Sequence, residues 1–204
     1  MCGRYLIEIG EEELREIIAA AEKERGDRED LGQLSFTYRG GEIFPGSTAP
    51  VITGNEVCFM KWGFPSSIAN QSPHINARSE TAMTSKTFGD AMASRRCIVP
   101  ASAYYEWKKL GKKRKVKYEV TLTGRATMYM AGIYSDSGQF AVLTREAAPS
   151  IIEIHDRMPV ILSKSNIDAW LRGSPEVMKE ALTDLQLAPV PADEKPSQQL
   201  YLFT

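Results

Sequence analysis

The distribution of apolar residues predicts an amphipathic helix near the start of the chain. In residues 11–24, apolar side chains recur from Leu14 to Ala21 with the i, i+3, i+4, i+7 spacing of one helix face. Acidic residues fill the first turn, where they suit the positive end of the helix dipole. We expect Gly26 to end this helix, because glycine commonly follows the last helical turn.

From Pro50 onward, the pattern is typical of β-structure. The runs VIT and VCFMKW flank Gly54-Asn55-Glu56 and predict a hairpin. Residues 64–80 lack periodicity and predict a long loop, a feature that is often functional in compact domains. Further strands are predicted at RCIVP, YYEWKK, VKYEVTL, TMYMAGIY, QFAVLT and MPVILS.

The remaining elements complete the predicted architecture. We expect one or two short helices in residues 79–93, helices near 165–171 and 175–185, and a C-terminal coil from about 187 to 204. Many strands with short connections and intervening helices predict an α+β fold. We therefore expect a single domain, residues 1–204, with curled antiparallel sheets in an open, barrel-like arrangement and flanking helices.

Composition narrows the class of protein. Hydrophobic residues make up 43% and charged residues 25% of the 204 residues, as in ordinary globular proteins. Three cysteines without a C-x-x-C pair, together with only two histidines, disfavour a disulfide framework and a metal site. With no membrane-spanning or signal-like segment, we expect a cytoplasmic protein, by default a monomer, without metal or cofactor.

A basic run, KKLGKKRKVK, stands out against the net charge of −1. It holds seven basic residues between Lys108 and Lys117. The simpler interpretation is a solvated hairpin tip whose lysines protect strand edges. The alternative is that the run attracts phosphate groups, because local positive charge can recruit nucleic acid when the whole chain is neutral.

Four polar or aromatic elements lie where apolar sequence is expected. They are YYEW with Glu106, HINARSE with Asn76 and Arg78, HDRMPVIL with His155 and Arg157, and KWGF with Trp62. Each also has a structural explanation on its own: an outward-facing strand residue, a helix entry, a surface ion pair and a core aromatic.

In their order along the chain, these elements resemble one family. The segments MCGRY, W-G, NARSET, RCIVP, Y-E-W and HDRMPVIL are similar to those of the SOS response-associated peptidase family, the abasic-site processing proteins. The resemblance covers roughly residues 2–170. It implies covalent capture of abasic sites in single-stranded DNA, with an associated self-processing peptidase activity and an abasic-site lyase activity.

The resemblance assigns a role to Cys2. Once Met1 is removed, which a methionine aminopeptidase can do, Cys2 presents an α-amine and a thiol on adjacent carbons. The amine condenses with an aldehyde to an imine, and the thiolate closes a thiazolidine ring intramolecularly. An α-amine pKa of about 7.7–8.0 leaves an appreciable fraction of this group neutral near pH 7. A ring-opened abasic site supplies the aldehyde.

The same resemblance assigns further site residues. It implies that Asn76 orients the Cys2 amine or the sugar, that Glu106 moves protons, and that His155 helps to open the deoxyribose. It also implies contacts with DNA, in which three arginines bind phosphates, three apolar side chains pack against the bases beside the lesion, and one threonine contacts the DNA. These residues are, in that order, Arg4, Arg78 and Arg157, then Trp62, Pro45 and Met158, then Thr144.

Two other functions remain open from the residues. One is an N-terminal-nucleophile hydrolase, in which Cys2 attacks an amide and its own amine acts as the base. The other is a non-catalytic binder of modified bases, in which Cys2 is incidental.

Overall fold

The computed structural model describes residues 2–8, 12–28, 40–54, 56–66, 71–111 and 114–191. Within these ranges, the elements in chain order are β1 (Tyr5–Ile7), α1 (Glu12–Arg28), β2 (Gly41–Ile43), β3 (Thr48–Ile52), β4 (Val57–Trp62), β5 (Asn76–Arg78), α2 (Ser79–Ala82), α3 (Gly89–Ser94), β6 (Arg96–Ala101), β7 (Ala103–Leu110), β8 (Arg114–Leu122), β9 (Met128–Tyr134), β10 (Gln139–Glu146), β11 (Arg157–Pro159), β12 (Ile161–Leu162), α4 (Lys164–Leu171), a 3-10 helix (Pro175–Glu180) and β13 (Leu185–Val190).

One sheet contains five antiparallel strands in the order β13-β8-β7-β1-β2. Tyr5 of β1 lies opposite Tyr104 of β7, and Trp107 lies opposite Lys117 of β8. Successive side chains of a strand point to opposite faces. Tyr104 and Glu106 therefore lie on the core face of β7, whereas Tyr105 and Trp107 lie on its outer face.

The second sheet closes into a five-stranded barrel. Strands β10, β4, β3, β6 and β9 follow one another, and β9 pairs again with β10. Most pairs are antiparallel, but β4 and β5 run parallel to β10. The predicted α+β, barrel-like fold is confirmed, and the barrel is closed rather than open because the β9–β10 hairpin supplies the last pairing.

Aromatic packing joins the five-stranded sheet to the barrel. The Tyr5 ring meets the Trp62 ring edge-on with centroids 5.1 Å apart, and Trp62 stacks parallel to Phe140 at 6.3 Å. The indole nitrogen of Trp62 donates a hydrogen bond to the Ile75 carbonyl at 2.9 Å. All three rings are fully buried and belong to the same buried core cluster as Cys2.

Three sequence predictions need correction. Helix α1 continues past Gly26 to Arg28, because a glycine inside a helix costs only about 1 kcal/mol and does not by itself end it. The predicted strand MPVILS is two strands, since β11 pairs with β10 whereas β12 pairs with β9. The predicted helix 175–185 is a 3-10 helix that ends at Glu180.

The C-terminal prediction is also corrected in part. The coil predicted from residue 187 overlaps strand β13, which pairs with β8 along its whole length. Its short sequence with a proline gives only weak evidence for a strand, because strand formation at a sheet edge depends on the neighbouring strand, here β8. The rest of the predicted coil, residues 192–204, lies outside the described residues. Within the described residues, no helix is long and apolar enough to cross a membrane.

Candidate functional site

Cys2 lies in the space between the five-stranded sheet and the barrel. Its side chain is fully buried, and its Sγ donates a hydrogen bond to the Arg4 carbonyl at 3.6 Å. From the barrel side, Asn76 Nδ2 donates to the Cys2 carbonyl at 2.8 Å. The first contact fixes the thiol within its own segment, and the second ties the Cys2 backbone to the barrel, so both groups of Cys2 are oriented.

Asn76 is positioned by an unusual strand. Strand β5 is three residues long and pairs in parallel with β10, with Asn76 opposite Val142. Asn76 Oδ1 is buried and has no hydrogen-bond partner among the described residues. A buried acceptor without a donor is costly. The site therefore offers an acceptor for an N–H or O–H group close to Cys2.

Glu106 provides a buried carboxyl group on the core face of β7, where only 2% of the residue is exposed. Burial raises the pKa of Glu106, and the negative charge of Asp156 contributes to the increase. Burial also raises the pKa of the Cys2 thiol, and the second cause is the charge of Glu106. The two groups therefore interact, and the site favours the proton-bearing form of each.

His155 follows a turn and precedes β11. Its Nδ1 accepts a hydrogen bond from the Arg157 backbone N–H at 3.0 Å, although an Asp156 carboxylate oxygen lies 2.8 Å from the same nitrogen. The second contact is a hydrogen bond only if Nδ1 carries a proton. Burial lowers the pKa of His155, which favours the neutral ring. We therefore assign the ring proton to Nε2, leaving Nδ1 as the acceptor.

Arg157 is engaged within the protein. Its two terminal nitrogens donate to the two carboxylate oxygens of Glu80, each at 2.8 Å, and one of them also donates to the Thr144 carbonyl at 2.7 Å. The Arg157 hydrogen bond lowers the pKa of Glu80. This fork joins β11, β10 and α2. In this arrangement, both terminal nitrogens of Arg157 are engaged by protein oxygens, and its contact with phosphate stays a prediction.

The other two predicted arginines lie nearer the surface. The Arg4 guanidinium lies 4.5 Å from the Phe44 ring centre and 5.1 Å from that of Trp107, and it contacts Glu42 at 3.4 Å. Arg78 is exposed and has no acidic partner within ion-pair distance among the described residues. Both side chains are accessible to an anion.

Three of the predicted DNA contacts are buried. Trp62, Thr144 and Met158 each have no exposed surface. Trp62 is enclosed by the aromatic stack, Thr144 donates to the Ala77 carbonyl at 3.4 Å, and the Met158 sulfur accepts from the Ala148 N–H at 3.3 Å. As placed, the three side chains lie in the buried core, and their contact with DNA stays a prediction. Pro45 is exposed on the turn after β2 and remains a predicted contact.

Other parts of the sequence analysis also lie outside the described residues. They are Met1, whose removal the thiazolidine chemistry requires, Asn55 of the predicted hairpin, residues 67–70 of the predicted loop, and Lys112 and Lys113 of the basic run. Within the described residues, no group of three or more histidine, cysteine or acidic side chains is arranged to hold a metal ion.

Comparison with known proteins identifies the family. The sequence model of the family "SOS response associated peptidase (SRAP)" matches residues 1–199. The chain belongs to the SRAP family. The match extends over both sheets, so the site between them is part of the family domain.

Curated relatives carry consistent names. Abasic site processing protein YoaM of Bacillus subtilis (strain 168) is 33% identical over 134 residues, which are 62% of this chain and 58% of that protein. Abasic site processing protein YobE of the same organism is 29% identical over 160 residues, 72% of each chain. Abasic site processing protein YedK of Escherichia coli (strain K12) is 33% identical over 118 residues, 54% of this chain and 53% of that protein.

Solved structures show the same fold. A protein from Bacteroides thetaiotaomicron superposes with a TM-score of 0.71 at 21% identity, over 94% of this chain and 93% of that one. A phage-related protein from Bordetella bronchiseptica gives a TM-score of 0.69 at 21% identity, over 93% and 94%. At this identity the likeness shows the fold alone.

The sequence reasoning missed Tyr104 in this SRAP domain. Its hydroxyl is buried without a hydrogen-bond partner among the described residues. Burial raises its pKa, and the charges of Cys2 and Glu106 contribute, so the phenol lies close to both. The available signal was the spacing in YYEW, because residues i and i+2 of a strand share a face. Tyr104 adds a neutral proton donor to the site.

Proposed function

We propose that this SRAP protein processes abasic sites in single-stranded DNA by forming a covalent adduct at Cys2. The observation that carries the proposal is the position of Cys2: Asn76 holds its carbonyl, and the buried Glu106 carboxyl group interacts with its thiol. The names of the relatives, abasic site processing proteins, support the choice of substrate.

The first step forms an imine. After the residue preceding Cys2 is removed, the neutral Cys2 amine attacks the aldehyde carbon of the ring-opened sugar and gives a carbinolamine. Glu106, whose raised pKa favours the acid form, donates its proton to the hydroxyl group, which leaves as water. The products are an iminium ion and the Glu106 carboxylate. Asn76 Oδ1 is the acceptor that can orient the amine N–H during the attack.

The second step closes the ring. The Glu106 carboxylate takes the proton of the Cys2 thiol, and the resulting thiolate adds to the iminium carbon. A C–S bond forms, the electron pair of the C=N bond returns to nitrogen, and Glu106 is again protonated. One water molecule is lost overall. Because burial raises the pKa of the thiol, a base at this position is needed to generate the thiolate.

Of the remaining site residues, some contact the DNA and others hold site residues in position. Arg4 and Arg78 bind phosphates on either side of the lesion, since both are accessible and guanidinium groups match phosphate oxygens. Neutral His155, with its proton on Nε2, assists ring opening of the deoxyribose. Arg157 maintains the position of His155 and of α2 through Glu80.

Further properties belong to this proposal. The same imine is the natural intermediate for β-elimination at the abasic site, so we include a lyase activity in the proposal. We also include a self-processing peptidase activity, which the word peptidase in the family description supports. A preference for single strands, the monomeric state and a cytoplasmic location remain predictions.

The test is a denaturing gel with abasic single-stranded DNA. We expect a heat-stable adduct with the wild-type protein and its loss in Cys2→Ala, which removes the thiol. Cys58→Ala is the matched control, because Cys58 is a half-buried cysteine on β4 that takes no part in the proposed site. Intact-mass spectrometry of the adduct should show that Met1 is absent, since an amide nitrogen has no free lone pair for imine formation.

Other outcomes would favour the alternatives. An undiminished adduct in Cys2→Ala would contradict the proposal. Amide hydrolysis that depends on Cys2, without any DNA adduct, would indicate an N-terminal-nucleophile hydrolase. DNA binding without an adduct in any variant would indicate a non-catalytic binder.

A further inference from the structure

The basic run identified in the sequence forms the hairpin between β7 and β8. Lys109 lies directly opposite Lys115, and Trp107 lies opposite Lys117. These four residues share the outer face of the hairpin, since positions i and i+2 of each strand point the same way. Lys109 and Lys115 are exposed. The hairpin thus presents a cationic face with one aromatic ring.

The Lys109–Lys115 pair is unfavourable by itself. Side chains directly opposite each other on antiparallel strands lie about 5 Å apart at Cβ, and like charges there destabilise the sheet. Neither lysine has an acidic partner within ion-pair distance among the described residues. On the same face, Glu42 pairs with Arg4 and Lys117, and Glu119 accepts from the Tyr105 hydroxyl. The positive charge at the hairpin end therefore remains uncompensated.

This outer face lies on the other side of β7 from Glu106, and it approaches the candidate site through the start of the chain. Strand β1 runs antiparallel to β7, so the residues before Tyr5 lie beside the hairpin half of β7. The Arg4 guanidinium lies 5.1 Å from the Trp107 ring centre and links the start of the chain to the hairpin face. At about 3.3 Å per strand residue, Lys109 lies roughly 10 Å further along β7 than Glu106.

A second contact fixes the hairpin next to the site. On the opposite face, Lys108 pairs with Glu153 at 3.1 Å, in the turn that leads to His155. The charge of Lys109 also reaches His155, where it contributes to the lowered pKa of the imidazole. The cationic face therefore borders the site on the side of His155.

We propose that the face formed by Trp107, Lys109, Lys115 and Lys117 binds the phosphate backbone of the DNA strand as it leaves the abasic site. This inference rests on the proposed function for the strand's position, but it concerns a separate surface. Arg4 contacts the phosphate nearest the lesion, and the two exposed lysines contact the next phosphates outward. The partner is a single-stranded polyanion, recognised without regard to sequence.

The test compares two double variants that change the net charge equally. Lys109→Ser/Lys115→Ser removes the cross-strand pair. Arg125→Ser/Arg172→Ser is the control, because both arginines are exposed and Arg125 follows the end of β8 remote from the hairpin. Affinity for an undamaged oligothymidylate is measured by fluorescence anisotropy over a range of salt concentrations.

We expect the slope of log K against log salt to become shallower by about 1.4 in the lysine variant, because each lost phosphate contact contributes about 0.7 for single strands. The control slope should match wild type. Equal slopes in all three proteins would overturn the proposal. Adduct formation with abasic DNA, measured at saturating DNA on the same samples, reports separately on the proposed function.

A charge reversal separates binding from stability. Lys115→Glu places an opposite charge across from Lys109, so the melting temperature should rise while DNA affinity falls more than in Lys115→Ser. If the melting temperature rises and DNA affinity is unchanged, the lysines only protect strand edges and the proposal is wrong.

Discussion

The carboxyl group of Glu106 is buried on the core face of β7, next to the Cys2 thiol. Glu106→Gln preserves the shape of the side chain but removes the transferable proton. We expect the adduct to form about 10²–10⁴-fold more slowly, the usual contribution of a positioned acid–base group, with DNA affinity retained. Single-turnover gel assays at saturating DNA measure the rate. Reduced affinity with an unchanged rate for bound DNA would show that Glu106 is structural.

Glu106→Gln should also change the way the free energy of unfolding depends on pH. Burial raises the pKa of Glu106 above its unfolded value of about 4.3, so the folded state binds this proton more tightly. The stabilisation is complete below about pH 4.3 and is lost as pH rises through the folded pKa. Urea unfolding of the wild type and Glu106→Gln across this window should show the variant gaining relative stability as pH increases. A constant difference would contradict the raised pKa.

Asn76 links β5 to the Cys2 backbone through one hydrogen bond. Asn76→Asp keeps the shape but replaces the donor NH₂ with an oxygen that faces the Cys2 carbonyl. We expect a loss of about 1–3 kcal/mol in unfolding free energy, because the carbonyl loses its donor, and slower adduct formation. Chemical denaturation and the gel assay measure the two effects. Gln186→Glu, which makes the same amide-to-carboxylate change at an exposed position of β13, is the control and should change neither quantity.

Two arginines at the segment formed by β5 and α2 differ in their surroundings. Arg157 on β11 holds Glu80 through two hydrogen bonds, whereas Arg78 is exposed. We expect Arg157→Ala to cost about 2 kcal/mol of stability, because charged hydrogen bonds are lost at a buried guanidinium. Arg78→Ala should remain within about 0.5 kcal/mol of wild type but reduce the DNA salt slope by about 0.7.

Denaturant unfolding and salt-dependent DNA binding of both variants test this division. The acid sensitivity of the pair provides a further check, because the Arg157 hydrogen bond lowers the pKa of Glu80. That stabilisation is present above about pH 4.3 and is lost as pH falls through the folded pKa. A reduced salt slope in Arg157→Ala with unchanged stability would mean that Arg157, too, contacts phosphate.

Closure of the barrel depends on close packing at Gly132 of β9. A Cβ at this position would lie 2.9 Å from Cys97 Sγ and 3.1 Å from the Ala141 carbonyl oxygen. We expect Gly132→Ala to lower the unfolding free energy by about 1–3 kcal/mol through overpacking. Gly54→Ala is the matched control, because nothing lies within 4 Å of its added Cβ. Equal stability of the two variants, measured by denaturation, would contradict this account.

The elements with strong local patterns were predictable. Helix α1, the β3–β4 hairpin and helix α4 follow from periodicity and turn residues, and the structure confirms each apart from the end of α1. Strands β1, β2, β5 and β13 were missed, because three residues give no readable period and an edge strand depends on its neighbour. Family membership was recognisable because short motifs similar to those of the family occur in the same order along this chain.

In the candidate site, too, sequence and tertiary structure determine different properties. The sequence by itself determined the chemistry available: a cysteine next to the first residue, a carboxyl group between aromatics, and arginines beside Asn76 and His155. Only the tertiary structure decided which of these side chains are buried, paired or exposed. Trp62, Thr144 and Met158 proved to be buried, and Arg157 is held by Glu80. The physical reason is that residue type sets what a group can do, whereas burial and pairing arise from strands that meet only when two sheets pack together.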